Sequence, residues 1–445
     1  MTLGAWLLAA LLAPSPAAAR TLVDAERWRF DLSGDLKTFS YAAFTFDWYV
    51  VPDDDLAAWG MEPEPLMPED PLAMGALDLR LKAGLEIGSH LSLDAQARTG
   101  ASYASQTLSA GAISLGTAGT GRDEAVEMSW QPVDAPDFGV EGRVDRLAAR
   151  LSVPHLEVIL GRQPVSFGSA WIFTPMDLVA PFSPTDIDTE YKPGVDAVRV
   201  DTYFGMAGQV SAVAAYAGDW SLDGTVLALH GGWTFGVTDV GLFAASNRAE
   251  PVCGVNAAGS IGTVGWHGEA TVTLPEEEDP FVRAVLGADH AWDFGLSAMG
   301  EVYLQTFGAA DSGGYLEVYA SERFARGEVW AAGRWYAAGS LSYEIDPLVH
   351  ASAFAVVNLA DPSAMLGPSL SWSAAENAEL AAGAFVGLGR RPRDITVGMD
   401  DLFDEHGDPI TDEDLLMENL LDSADVGSEF GMVPTVGYVE VKLYF

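Results

Sequence analysis

Hydrophobic and polar residues alternate along most of the chain with a period of two. Over residues 77–87 the odd positions are Leu77, Leu79, Leu81, Ala83, Leu85 and Ile87, and the even ones include Asp78, Arg80, Lys82 and Glu86. Residues 91–99 repeat the arrangement, with Leu91, Leu93, Ala95 and Ala97 opposite Ser92, Asp94, Gln96 and Arg98. A period of two puts these two sets on opposite faces of a β-strand. The same split recurs far downstream. Val264, Trp266, Ala270, Val272 and Leu274 oppose His267, Glu269, Thr271 and Thr273, while Leu296, Ala298, Val302 and Leu304 oppose Glu301, Tyr303 and Gln305.

Carried along the chain, the alternation predicts strands near 29–44, 73–88, 91–104, 143–153, 156–168, 194–205, 209–218, 223–236 and 238–248. It continues through 252–261, 263–274, 281–294, 296–307, 328–344, 348–360, 364–375, 378–389 and 434–445. These make about 18 strands (16–18), an even number as a closed up-and-down antiparallel barrel requires. Connections at 88–90, 154–155 and 346–347 are tight and fall between even and odd strands. The long ones, 45–72, 105–142, 169–193, 308–327 and 390–433, fall on the other parity. Short turns at one end and long loops at the other separate a membrane barrel from a secreted sandwich. Aromatics such as Trp292, Phe294 and Trp372 stand near strand ends, where interfacial girdles sit.

Composition adds the compartment. Residues 1–19 hold an apolar run, a Pro14–Pro16 break and small residues at Ala17 and Ala19, the pattern of a signal peptide ahead of a barrel over 20–445. No later apolar stretch is long enough for a transmembrane helix. Among 445 residues, 64 acidic and 23 basic side chains give a formal charge of -41. That balance argues against nucleic acid as a partner. A lone Cys253 excludes an internal disulfide.

The last strand places Val439, Val441, Leu443 and the terminal Phe445 on one face. It resembles the C-terminal assembly signal of outer-membrane proteins, which implies delivery by the barrel-insertion machinery. Gly161-Arg162-Gln163, the loop through Asp177 and Pro181, Glu190, and Gly194-Val195-Asp196-Ala197-Val198-Arg199 also resemble stretches of proteobacterial outer-membrane porin-like families. The likeness covers about forty residues and implies a passive diffusion channel for small hydrophilic solutes in the cell outer membrane, with lipid and lipopolysaccharide around it. One position departs from simple alternation: Arg162 shares the phase of Leu156, Val158 and Leu160 and would point at lipid unless a bulge at Gly161 restores the phase.

Rival chemistries are poorly supported. Ser166-Phe167-Gly168 lacks the flanking glycine of a nucleophile elbow, and the seven His residues are scattered singly. Neither a catalytic residue nor a resident cofactor is expected. Ca2+ or Mg2+ at the acidic loops, around Asp400–Glu418 and Glu276–Asp279, competes with plain solvated charge, because the spacing matches no EF-hand. Residues 411–421 read as a capped short helix. No plug domain precedes the strands. Trp171, Ile172, Phe173, Met176, Leu178 and Val179 keep open an apolar path of the fatty-acid type, and a surface scaffold or adhesin is the non-transport alternative. Whether several copies assemble into a homo-oligomer stays open.

A channel needs a constriction. Arg80, Lys82, Arg98, Arg146, Arg150 and Arg199 fall on inward phases of neighbouring strands, with Arg162 beside them, and loop 169–193 supplies Asp177, Asp186, Asp188 and Glu190. Opposed charges across a wet lumen predict a transverse field and a weak preference for cations. The alternative is that the arginines merely pair with Asp78, Asp94 and Asp201 as cross-strand ladders.

Overall fold

A computed structural model describes residues 20–25, 27–58, 60–67, 71–105, 123–179, 191–276, 278–398 and 424–445. The proposed signal peptide, the acidic residues Asp186, Asp188 and Glu190, and the helix at 411–421 lie outside them. Eighteen strands form the wall: β1 (Trp28–Phe44), β2 (Leu72–Ile87), β3 (Leu91–Ala104), β4 (Phe138–Val153), β5 (Leu156–Gln163), β6 (Val195–Phe204), β7 (Gly208–Tyr216), β8 (Thr225–Phe235) and β9 (Thr238–Asn247). The second half comprises β10 (Glu250–Ile261), β11 (Val264–Thr273), β12 (Phe281–Ala291), β13 (Leu296–Gln305), β14 (Trp335–Asp346), β15 (Val349–Asn358), β16 (Ser363–Ala375), β17 (Ala378–Leu388) and β18 (Thr435–Tyr444). Each pairs antiparallel with its neighbours in sequence. The ring closes where β1 meets β18, from Asp35↔Tyr444 to Phe44↔Thr435. Closure leaves no edge, so the backbone groups of the wall are satisfied within it. No described helix is long and apolar enough to cross a membrane, which says nothing of a barrel, whose strands can cross.

The faces follow the alternation. Leu81, Leu160, Leu242, Leu286, Val302 and Leu341 are exposed on the outside, whereas Glu269, Thr271, Glu301 and Gln305 are buried within. Connections at 88–90, 154–155, 205–207, 236–237, 262–263, 292–295, 347–348 and 376–377 are tight at one end. Exposed Phe204, Trp233, Phe235, Trp292, Phe294 and Trp372 gather near that end as an aromatic girdle. At the other end run 45–71, 105–137, 164–194, 306–334 and 389–434, alongside the shorter 217–224, 248–249, 274–280 and 359–362.

The C-terminal strand seals the seam. Phe445 and Gly34 exchange backbone bonds, Gly34 N–H donating at 2.7 Å and Phe445 N–H at 2.9 Å. A Cβ at Gly34 would lie 2.6 Å from the Phe445 ring, so only glycine lets that ring lie flat on β1. Val439, Val441 and Leu443 face Ser40, Thr38 and Leu36 across the seam.

One strand is short for a reason. β5 stops at Gln163 because Pro164 has no N–H to continue the ladder. Above that point β4 pairs instead with Ser129–Asp134 of the preceding loop. Expected strand residues 164–168 therefore belong to the loop that follows. Residues 328–334, expected in the strand that follows 296–307, likewise fold inward ahead of β14, behind two short helices, Tyr315–Ala320 and Glu322–Ala325.

Candidate functional site

The connection between β5 and β6 crosses the inside of the barrel. Gly168 turns it with φ +91, and a Cβ there would overlap the Glu269 carboxylate. Beyond Gly168 the backbone amides point at two glutamates on the inward faces of β11 and β13. Glu301 accepts from Trp171 N–H at 2.8 Å, Ile172 N–H at 3.1 Å and Phe173 N–H at 2.9 Å, with His267 Nε2 at 2.7 Å. Glu269 accepts from Ser169 N–H, from Ala170 N–H at 2.6 Å and from Met176 N–H at 3.4 Å. β13 lies nearly half-way round the ring from β5, so these bonds fasten the segment to the opposite wall. Carboxylates receiving several N–H donors in a buried setting hold a loop far better than neutral acceptors.

Apolar contacts complete the docking. Phe173, fully buried, stacks on Tyr303 and on Trp330 (5.4 Å between centroids). Val165, Phe167, Met176, Leu178 and Val179 pack against the inward faces of Val195, Ala197, Val213, Val226 and Phe243. The side chains expected to line an apolar path are thus taken up in contacts: Ile172 packs against the Phe173 cluster, and only Trp171, stacked on His267, stays largely exposed.

The returning limb meets the basic wall. The Tyr191 ring faces three cations, Lys82, Arg80 and Lys37, at 4.2, 4.4 and 4.9 Å from its centroid. Its hydroxyl bonds Lys82 and Asp35. Lys192 ion-pairs with Asp177 and donates to Ser166 Oγ at 2.7 Å. Burial pushes the Asp177 carboxyl upward, against the opposing pull of Lys192.

The remaining site residues fall into two groups. Arg80 and Arg143 share Asp145 at 2.6 and 2.9 Å, Lys82 meets Asp35 at 2.7 Å, Arg98 pairs with Asp78, and Arg199 with Asp201 at 2.8 Å. Arg150 pairs with Glu157 at 2.8 Å. Arg146 donates to the Lys192 carbonyl at 3.4 Å, with its Nε buried and unpartnered. Of the three ladder carboxylates, only Asp78 pairs across strands, with Arg98; Asp201 pairs with Arg199 along β6, and Asp94 accepts from Gln96 of its own strand at 3.2 Å. Arg146, Arg150 and Arg199 border a cavity of about 450 Å³ together with Asp31, Glu86 and Asp94.

Arg162 departs from the inward row. No bulge interrupts the β5–β6 register, which runs through Arg162↔Asp196 and Gly161↔Ala197. The arginine stays in phase with Leu160 and is buried because the segment after 122 covers it. It meets Asp196 at 2.8 Å and Glu124 at 3.1 Å and donates to the carbonyls of Val144 and Val126. It borders the cavity, but its guanidinium is bound into the wall.

Among the described residues no group of three or more His, Cys, Asp and Glu is placed to hold a metal. Glu278 of the second acidic loop bonds Arg323 at 2.9 Å, which also holds Glu250 and Glu328.

No protein-family model matches the chain, and no curated protein does. Among solved structures it is similar to Pseudomonas aeruginosa OpdQ, with a TM-score of 0.51 and 7% identity over 94% of this chain and 98% of that one. Pseudomonas aeruginosa OccK5 (OpdH) gives 0.50 and 7% over 93% and 97%. Acinetobacter baumannii OccAB2 gives 0.50 and 9% over 94% and 98%. Likeness at such identities speaks to fold, and it agrees with the apolar outer belt, the girdle and the closed ring. The chain shares the fold of these proteins, a closed antiparallel β-barrel, here of 18 strands.

Proposed function

We propose that the barrel is a porin-like channel for passive diffusion of small hydrophilic solutes, with residues 169–193 forming its constriction against Arg80, Lys82, Arg98, Arg146, Arg150 and Arg199. The observation that carries this reading is the pair of anchors on one loop: amides of 169–176 on Glu269 and Glu301, and Tyr191 among Lys37, Arg80 and Lys82. A segment tied to both walls divides the lumen and leaves a charged passage beside the arginines. The adjoining cavity has the volume of a small organic solute.

Reconstitution decides it. Liposomes carrying the purified barrel are expected to swell in small sugars, amino acids and organic acids, at rates falling with solute size, and planar bilayers to show ohmic steps. Impermeant liposomes with silent bilayers would favour a surface scaffold; uptake limited to apolar solutes would favour the fatty-acid type.

A further inference from the structure

Away from the basic wall, strands β7 to β17 carry a single Lys or Arg between them, Arg283 of β12. It points inward between Phe281 and Val285 and is 3% exposed. Its Nη1 donates to the Glu328 carbonyl at 3.1 Å, while Nε and Nη2 are buried with no partner. Those two nitrogens form one edge of the guanidinium, the edge that grips an anion through two parallel N–H bonds. The Glu328 carboxylate is bound instead to Arg323 at 3.2 Å and Arg326 at 3.9 Å. Among the described residues no ion pair involves Arg283.

Two further orphans share the patch. Thr271 stands directly across from Arg283 in the β11–β12 register, and Thr273 is the next inward residue of β11. Both are buried, and both Oγ1 atoms lack a partner. A hydroxyl can accept or donate, but beside an unpaired guanidinium edge the shared capacity is donation. An unneutralised buried cation is costly, and so are buried donors without acceptors. One occupant resolves both costs.

We propose that Arg283, Thr271 and Thr273 form a binding site for one small inorganic anion, a halide or a compact oxyanion, set in the wall beside residues 306–334. All three side chains are buried, so the occupant proposed is compact. The bound anion neutralises Arg283 and, through the Glu328 carbonyl on the same guanidinium, couples the wall to the inner loop. The site stands apart from the 169–193 passage and holds whether or not the barrel conducts.

Purified full-length barrel in uncharged detergent tests it at constant ionic strength, with chloride or phosphate replacing the bulky anion gluconate. The unfolding midpoint, read from heat-modified gel mobility, is expected to rise saturably with chloride or phosphate. A Thr271→Val/Thr273→Val double variant is expected to raise the half-saturating concentration by about tenfold, and Arg283→Met to abolish the response. Bromide-soaked crystals of the unmodified protein are expected to show an anomalous peak at the Nε/Nη2 edge. Should Arg283→Met not assemble, the threonine variant and the bromide peak decide. No anion-specific shift, an equal shift in the variants, or no bromide at that edge would overturn the proposal and leave water as the partner of these donors.

Discussion

Phe173, at the far reach of the inner loop, lies on Tyr303 of β13 with ring centroids 4.6 Å apart and planes 4° from parallel. Stacking of this kind locates the loop against a wall strand distant in sequence, and the neighbouring amide bonds to Glu301 fix it there. Position and purchase come from different chemistry: the ring supplies buried area, the carboxylate supplies direction.

Removing the carboxylate should free the loop. A hydrogen bond to a charged group contributes roughly 1.5–3 kcal/mol, so Glu301→Ala weakens docking by at least about 1.5 kcal/mol, the lower end of that range. The expected outcome in planar bilayers is a larger mean conductance with frequent substates. Conductance and noise equal to the parent would mean that the loop keeps its place without Glu301.

The acidic residues of the same loop should set ion preference. Because most lumen cations have carboxylate partners, net charge at the mouth decides, and it is negative. Weak cation selectivity at low salt, fading as salt rises, is expected from screening over ~8–10 Å. Replacing Asp186, Asp188 and Glu190 by Asn, Asn and Gln should move the reversal potential toward anions. An unmoved potential and unchanged conductance in an inserted barrel would place these carboxylates away from the passage.

Acid should firm the inner segment 424–434. Glu429 accepts from Tyr336 Oη, Asn358 Nδ2 and Ala332 N–H, each at 2.6 Å, and from Tyr319 Oη at 3.1 Å. Burial raises its carboxyl above the ordinary range, overcoming those donors, and Asp361 adds to the rise. A folded-state value above the unfolded one means stability that is complete below about pH 4.3 and lost as pH rises through the raised value. Hydrogen exchange in 424–434, corrected for intrinsic rates, should therefore be slower at pH 5 than at pH 7.5. Glu429→Gln should flatten that difference; a segment exchanging faster in acid would contradict the sign.

Closure at the seam should depend on the terminal ring. Deleting Phe445, replacing it with Asp, or introducing Gly34→Val against its ring should leave little heat-modifiable barrel in the outer membrane and more degraded chain in the periplasm. Normal yield from all three would make the contact incidental.

Sidedness is open to a direct check. Epitope tags within 105–137 or 389–434 should be reached by antibody on intact cells, and tags at 88–90 or 347–348 should not. Labelling of the short turns would reverse the orientation.

The wall was legible from sequence because its information is local: each strand repeats one rule every two residues, and the polar set of β11 and β13 reads directly as His267, Glu269, Glu301 and Gln305. What those residues hold was not legible. Glu301 lies over a hundred residues from Trp171, and nothing near either position signals the other. Asp145 was missed through phase, since a register shift opposite Gln96 and Ala97 brings it inward beside Arg146. Tyr191 and Lys192 were passed over because alternation says nothing about where a loop will lie. Arg162 was suspect from its phase, and it sits in phase; a covering segment, not a bulge, accounts for its burial.

The pairing of lumen charges has a further consequence. Arg80 with Asp145, Lys82 with Asp35, and Arg199 with Asp201 are opposite charges under 3 Å apart, so at a distance each behaves as a small dipole. Such fields die away faster than that of a single charge, and a solute on the barrel axis passes almost unnoticed. In the proposed channel, a solute that touches the wall would instead have to exchange partners with a residue already matched, giving discrimination by contact rather than by attraction from afar.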